Sequence, residues 1–456
     1  MKTLILITAL VTGGALTSLA APLPQPIKQA GRMVCVHDTL WLNSPELNIR
    51  EAYRVSEMDS VMRFNFGSTG KPYTFSISNG SETMSFSHSD LPRVKVEVTN
   101  GKKLVNVYIT AFMNPEAKFS EEHKLQFNNQ VAVEVPEVYE LTNILLSLTP
   151  HCRRDSNLID MSKPYFKEVQ QYFAQWEASP LVNALSKTLD EDPDMYLSFR
   201  NSGFGYTFKF DELVENPDYK NFNGRLGIRD FKLQIEDFAK RSGFRKFYAK
   251  HKDYYSRLVD AENQWVNLKD MKQWLEQRYP NRYNAYRIIL SPLVNGWHNV
   301  NSFENNNFSE AVMFIYAFDP TTPRKESVAA TRYKLWRIVF TEIDHAYINP
   351  VTDAHSAELG KAITDLKKWN RSNGYNTAYE TFNEYMTFGV FALYMNDHMS
   401  AADLNIAYPM LKNMMENQRG FVQFGNFSDE LLAQHRSGIT DVNQLHTHML
   451  NWMSSK

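Results

Sequence analysis

The segment Thr341-Glu342-Ile343-Asp344-His345 has part of the spacing of a zinc-peptidase helix. In such a helix two histidines four residues apart lie on one face and grip the metal, and the glutamate after the first histidine activates the bound water. Glu342 and His345 hold the places of that base and of the second histidine. Thr341 stands where the first histidine would. A neutral hydroxyl is a poor zinc ligand beside an imidazole nitrogen. Alone, Glu-x-x-His is a weak motif, and the same residues also describe a helix with one core histidine and one surface glutamate.

A third ligand is expected from elsewhere, and Glu384 in Asn383-Glu384-Tyr385 is the candidate. A carboxylate beside the apolar run Met386 to Tyr394 is costly unless it is paired or bound to metal. For the missing imidazole, His355 lies ten residues past His345, where a loop could bring it back. Asp344 is on the same helix but points away from Thr341. Glu342 and His345 with Glu380 and Glu384 also fit a carboxylate-rich iron or manganese site. His298, in Asn295-Gly296-Trp297-His298, is a candidate substrate contact on a loop. Tyr347 and Tyr385 could hydrogen-bond an oxyanion or simply pack in the core. His446 and His448 are two apart, hence on different helical faces, and read as surface residues.

These side chains need helices to hold them. The spacing predicts one helix over 329–347, ended by Asn349-Pro350 because proline lacks the helical donor. A second helix is expected after the Asn373-Gly374 turn, with Thr377 and Glu380 as its capping box. Further helices are expected from Val138 to Leu148, Pro164 to Phe173 and Pro180 to Leu189, and as two long ones over 230–250 and 251–278. The short apolar runs Tyr286 to Leu290 and Ala311 to Phe318 read as strands of a small sheet. Residues 32–136 read as strands instead. Val94, Val96 and Val98 alternate with polar neighbours, and Asn79-Gly80 and Asn100-Gly101 separate alternating runs as hairpin turns do. Val131 to Val135 reads as the last strand. The resulting division is an antiparallel β domain over 21–136 and a mainly helical domain over 137–456, an α+β chain.

The 456 residues are 43% hydrophobic and carry a net charge of −2. That balance gives no basic face for nucleic acid. Met1-Lys2-Thr3, the apolar stretch Leu4 to Leu19 and the small residues before Ala21 read as a signal peptide cut after Ala20, so the chain is expected to be secreted from the cell or periplasmic. No later run is long enough to span a membrane. Cys35 and Cys152 are the two cysteines. They are compatible with one disulfide or with two buried thiols. There is no phosphate loop at Gly203-Phe204-Gly205 and no nucleophile elbow.

Several segments together resemble a domain-of-unknown-function family of secreted bacterial proteins regarded as zinc-metallopeptidase-like. They are Val135 to Leu141, Tyr165 to Val169, Leu290 to Leu293, Phe340 to Pro350 and Asn383-Glu384-Tyr385, so the resemblance covers about 133–394. The family usually has a full His-Glu-x-x-His followed closely by Asn-Pro. The resemblance implies a zincin-like fold with His345 and Glu384 as zinc ligands, Glu342 as base and a peptide or protein as substrate or ligand. The departure at Thr341 leaves three readings. One is an inactive or binding-only relative, one a metal-dependent hydrolase with a rearranged ligand set, and one a site for another metal.

Overall fold

The computed structural model describes residues 28–68, 73–87, 93–222, 226–372, 375 and 377–456. The expected signal peptide and the Asn373-Gly374 turn lie outside them. The chain is α+β: a strand-rich region to about residue 134, then a mostly helical region around a small sheet.

The N-terminal region is two four-stranded sheets that share one core. Strand Arg93–Thr99 buries Val94, Val96 and Val98 against the facing sheet's Leu40, Leu42, Phe75 and Ile77, as period-two alternation requires. Asn79 and Asn100 each turn a hairpin, joining Thr74–Ser78 to Thr83–Ser87 and Arg93–Thr99 to Leu104–Met113. The turns are four residues long. Each asparagine side chain accepts two backbone amides, and only the glycine takes positive φ, 92° at Gly80 and 87° at Gly101. One sheet departs from the antiparallel expectation. Lys28–Val34 runs parallel to Arg93–Thr99, and Val61–Ser68 parallel to Leu104–Met113.

The last expected strand belongs elsewhere. Gln130–Glu134 pairs parallel with Ala285–Ser291, which pairs parallel with Phe308–Tyr316. Asn299–Asn305 completes this sheet as an antiparallel edge. Ile288, Leu290, Met313 and Ile315 face the large helical core, while Ile289, Val312 and Phe314 face a second cluster with Phe119 and Phe222. Both surfaces are therefore covered, which fits the continuous apolar runs. The two long helices expected over 230–278 are four shorter ones, Ile228–Ser242, Phe244–Lys250, Lys252–Trp265 and Leu268–Glu276. Gly243, left-handed at φ 70°, makes the first break. Cys35 is buried in the N-terminal core and Cys152 in the helical core, and both are free thiols.

Candidate functional site

Two helices carry the residues of interest. The first, here the motif helix, is Val328–Ala354, capped by Ser327 through Ala330 N at 3.2 Å. It does not stop at Asn349-Pro350 as expected. Pro350 removes the amide that would bond the Ala346 carbonyl. That oxygen accepts instead from Asn281 Nδ2 and Tyr283 Oη, both at 3.3 Å, and the helix continues for another turn. The second, the glutamate helix, is Ala378–His398, opened by the expected Thr377–Glu380 capping box. It is buried from Thr381 to Met395, as a helix apolar on all sides must be. The two helices pack together, and the motif helix also packs against the edge strand Asn299–Asn305.

This arrangement brings His345 and Glu384 together. His345 Nε2 lies 3.8 Å from Glu384 Oε1, too far for a hydrogen bond. Asn349 Oδ1 sits 3.3 Å from His345 Nδ1 and accepts from Asn383 Nδ2 at 2.8 Å. The Asn-Pro and Asn-Glu pairs thus cross-link the two helices beside the imidazole. The other side of Glu384 is occupied by Arg419, whose Nη2 stands 2.8 Å from Oε2 at ion-pair distance, without hydrogen-bond alignment. Arg419 also contacts Tyr375 Oη and lies over the Phe388 ring at 4.6 Å. A π turn at Met414–Gln418 delivers it. Gly420 follows at φ 81°, where a side chain would come within 2.8 Å of Ser372 N.

Glu342 is half-buried and has no hydrogen-bond partner among the described residues. Burial raises its pKa to about 7. Glu384 pushes the same way, against His345, Arg419 and Arg200. Thr341 is buried and its hydroxyl donates back to the Arg337 carbonyl at 2.8 Å, as mid-helix threonines do. Asp344 is fully buried with neither oxygen hydrogen-bonded, and burial holds its pKa well above the carboxylate range.

The remaining expected residues are not assembled here. His355 terminates the extended motif helix, ten residues or about 15 Å along the axis from His345. There it binds Glu358 at 3.0 Å and stacks on His446. Helix continuation past Pro350 therefore removes His355 as a replacement ligand. His446 is itself fully buried, not on the surface as expected, with Nδ1 against the Val442 carbonyl at 2.9 Å. Glu380 is exposed and spent on capping, so it adds no carboxylate to the site. Tyr385 is buried and its hydroxyl is used up by Trp369 O and Gln423 N, which makes it a core residue and not a substrate contact. Tyr347 is likewise enclosed, against Tyr286. His298 is half-buried, with its ring stacked on Tyr316 at 5.7 Å between centroids.

The donor set does not suit zinc. Two candidate ligands meet, one of them already faces a guanidinium, and the first ligand place holds a hydroxyl turned into its own helix. Among the described residues no group of three or more His, Cys, Asp or Glu is placed to hold a metal ion. The sequence reading missed Arg419, Arg200 and Arg337. Only Arg337, one turn before Thr341, had a spacing that could have pointed to it; the others arrive from distant segments.

The comparisons with known proteins bear on the helical region. Residues 220–430 match the family model of a domain of unknown function, DUF4932. That stretch spans both helices, three strands of the small sheet and Arg419. No curated protein and no solved structure matches the chain. Among the described residues no helix is long and apolar enough to cross a membrane.

Proposed function

We propose that the chain is an exported, zincin-like protein whose cleft lacks a working zinc site and binds an extended peptide or protein segment. The observation that carries this reading is the ion pair between Arg419 and Glu384, since a cation already sits where the third ligand would need to turn toward metal. The position of Thr341 agrees with it, as its hydroxyl is directed along the helix. The edge strand Asn299–Asn305 supports a peptide as ligand. Among the described residues its one ladder partner is Phe308–Tyr316; it packs against the motif helix, and Glu116–Ala117 touches its Asn305 end, so an added strand would pair from the Asn299 end. Export rests on the N-terminal sequence alone, and N-terminal sequencing of the secreted protein tests it.

The test of the main reading is the zinc content of purified mature protein by elemental mass spectrometry, before and after mild chelation. Zinc far below one per chain is expected, even after zinc is supplied. Close to one tightly held zinc per chain overturns the reading. One observation favours the alternative of an active hydrolase. Glu342 has a pKa near neutrality, without a hydrogen-bond partner, as a general base requires. Cleavage of a peptide library that Glu342→Gln abolishes would establish that alternative.

A further inference from the structure

Near the start of the edge strand, Arg200 and His298 each keep a buried nitrogen without a hydrogen-bond partner. Arg200 is fully buried, yet among the described residues no carboxylate pairs with it. Its Nε donates to Asn201 Oδ1 at 3.0 Å, and its Nη2 donates to the Trp297 carbonyl at 2.9 Å and to Asn299 Oδ1 at 2.8 Å. All three acceptors are neutral, and Nη1 is buried with no partner. A buried charge without a counter-charge is expensive, and an orphaned buried donor in a native structure calls for water, an ion or a ligand.

Arg200 spans the residues on either side of His298, bonding to the one before and the one after. His298 Nε2 is also buried without a partner. Burial lowers the His298 pKa to about 3, and the charges of Arg200 and Arg337 add to the effect. The Arg337 guanidinium, half-buried, makes no hydrogen bond or ion pair among the described residues. Glu342 is electrostatically coupled to both arginines and bonded to neither. His298 and Arg337 each keep part of their surface exposed.

We propose that Arg200, Arg337 and His298 form a carboxylate-binding subsite that takes the C-terminal carboxylate of a peptide lying along Asn299–Asn305. The inference rests on the peptide-binding reading above and adds the ligand group that the cleft selects. The arginines supply the charge. Arg200, bonded to Trp297 and Asn299, stands at the beginning of the edge strand, where a peptide paired antiparallel with that strand would end. Neutral His298 offers Nε2 as an acceptor for a ligand N–H or O–H, its Nδ1 being held near the Asn295 carbonyl. A bound cation is disfavoured by two adjacent guanidinium groups.

The experiment is calorimetric titration of the full mature protein, treated with chelator, with three probes: acetyl-trialanine as the free acid, the same peptide as its amide, and acetate. The free acid is expected to bind at least about tenfold more tightly than the amide, the factor for losing a charge-assisted hydrogen bond. In Arg337→Gln, which gives up no existing hydrogen bond, that difference is expected to vanish with unchanged thermal stability. Equal binding of acid and amide, or no binding of either up to about 10 mM, overturns the subsite and leaves water as the partner of the orphaned atoms. A preference that survives Arg337→Gln overturns it as well. Acetate binding as tightly as the peptide acid overturns the assignment to a chain end. Because the titration is metal-free, its failure is separate from a failure of the zinc measurement.

Discussion

If Arg419 is what keeps Glu384 from serving as a ligand, replacing Thr341 by histidine alone should recover little zinc affinity. Zinc would sit about 2 Å from a Glu384 oxygen, and Arg419 Nη2 stands 2.8 Å from that carboxylate. The dication would then lie about 5 Å from the guanidinium if both used the same oxygen, and farther if zinc took the oxygen facing His345. At an effective dielectric constant of about 20 this repulsion is about 7 kcal/mol as an upper value, or about five decades in affinity. The Arg419 side chain is 24% exposed and relieves part of this by turning toward solvent. The surviving coupling should still exceed about 1.4 kcal/mol, one decade. The assay is a double-mutant cycle over wild type, Thr341→His, Arg419→Gln and the pair, with zinc affinity measured by competition against a chelating dye and the fold checked by thermal unfolding. The pair should bind at least about tenfold more tightly than the two single effects predict together. Additive effects, or full affinity in Thr341→His alone, would refute the blocking role of Arg419.

Two further predictions concern the frame around the site. Glu262 is buried with one oxygen unpartnered, and burial raises its pKa from 4.5 to about 8. The folded chain therefore keeps a proton that the unfolded chain has released, and stability falls as pH rises between those two values. Glu262→Gln should gain on wild type by about 1 kcal/mol at pH 5 and up to about 4 kcal/mol at pH 8, read from urea unfolding; a difference independent of pH would refute this. Gly203→Ala should destabilise by about 1–3 kcal/mol or more, because its Cβ would meet the Tyr139 Cα and the Val138 carbonyl at 2.7 Å. Gly360→Ala, with open space around it, should be neutral or slightly stabilising, and similar melting temperatures for the two variants would contradict the packing argument.

Local rules carried the elements further than they carried the pairings. The helix Pro164–Phe173 and the alternation of Arg93–Thr99 are set by proline at the first turn and by period-two burial, both written in adjacent residues. Which strand lies beside which is decided by contacts far along the chain. Val131 to Val135 has strand character under either assignment, and only Ala285–Ser291, more than 150 residues later, draws it into the second sheet. Pro350 shows the same limit from the other side. The cost of proline within a helix is local, but the two donors that satisfy Ala346 come from the segment before Ala285–Ser291. Within the site, His345 and Glu384 were legible because the Glu-x-x-His spacing and a capping box are written in adjacent residues. Arg419 was not, since a π turn and a left-handed glycine aim it from outside both.

The retention of Glu342 looks at first like evidence for catalysis, since a site without metal has no use for a base. Electrostatics supplies another reason. Glu342 and Glu384 repel each other in a medium of lowered dielectric, and a metal ion would ordinarily balance such a pair. On the reading proposed here that balance is shared between side chains. Arg419 faces Glu384, while Glu342 holds its proton more readily than a solvent-exposed glutamate. The need also runs in the opposite direction. Arg200, Arg337 and Arg419 all bear on Glu342, and Arg337 and Arg419 act against one another. Substituting Glu342 by an apolar residue would leave Arg200 and Arg337 without a nearby carboxylate. The glutamate therefore has a structural use whether or not it ever accepts a proton from water. The acid–amide comparison and the Glu342→Gln cleavage assay separate binding from hydrolysis, because the first depends on the arginines and the second on the glutamate.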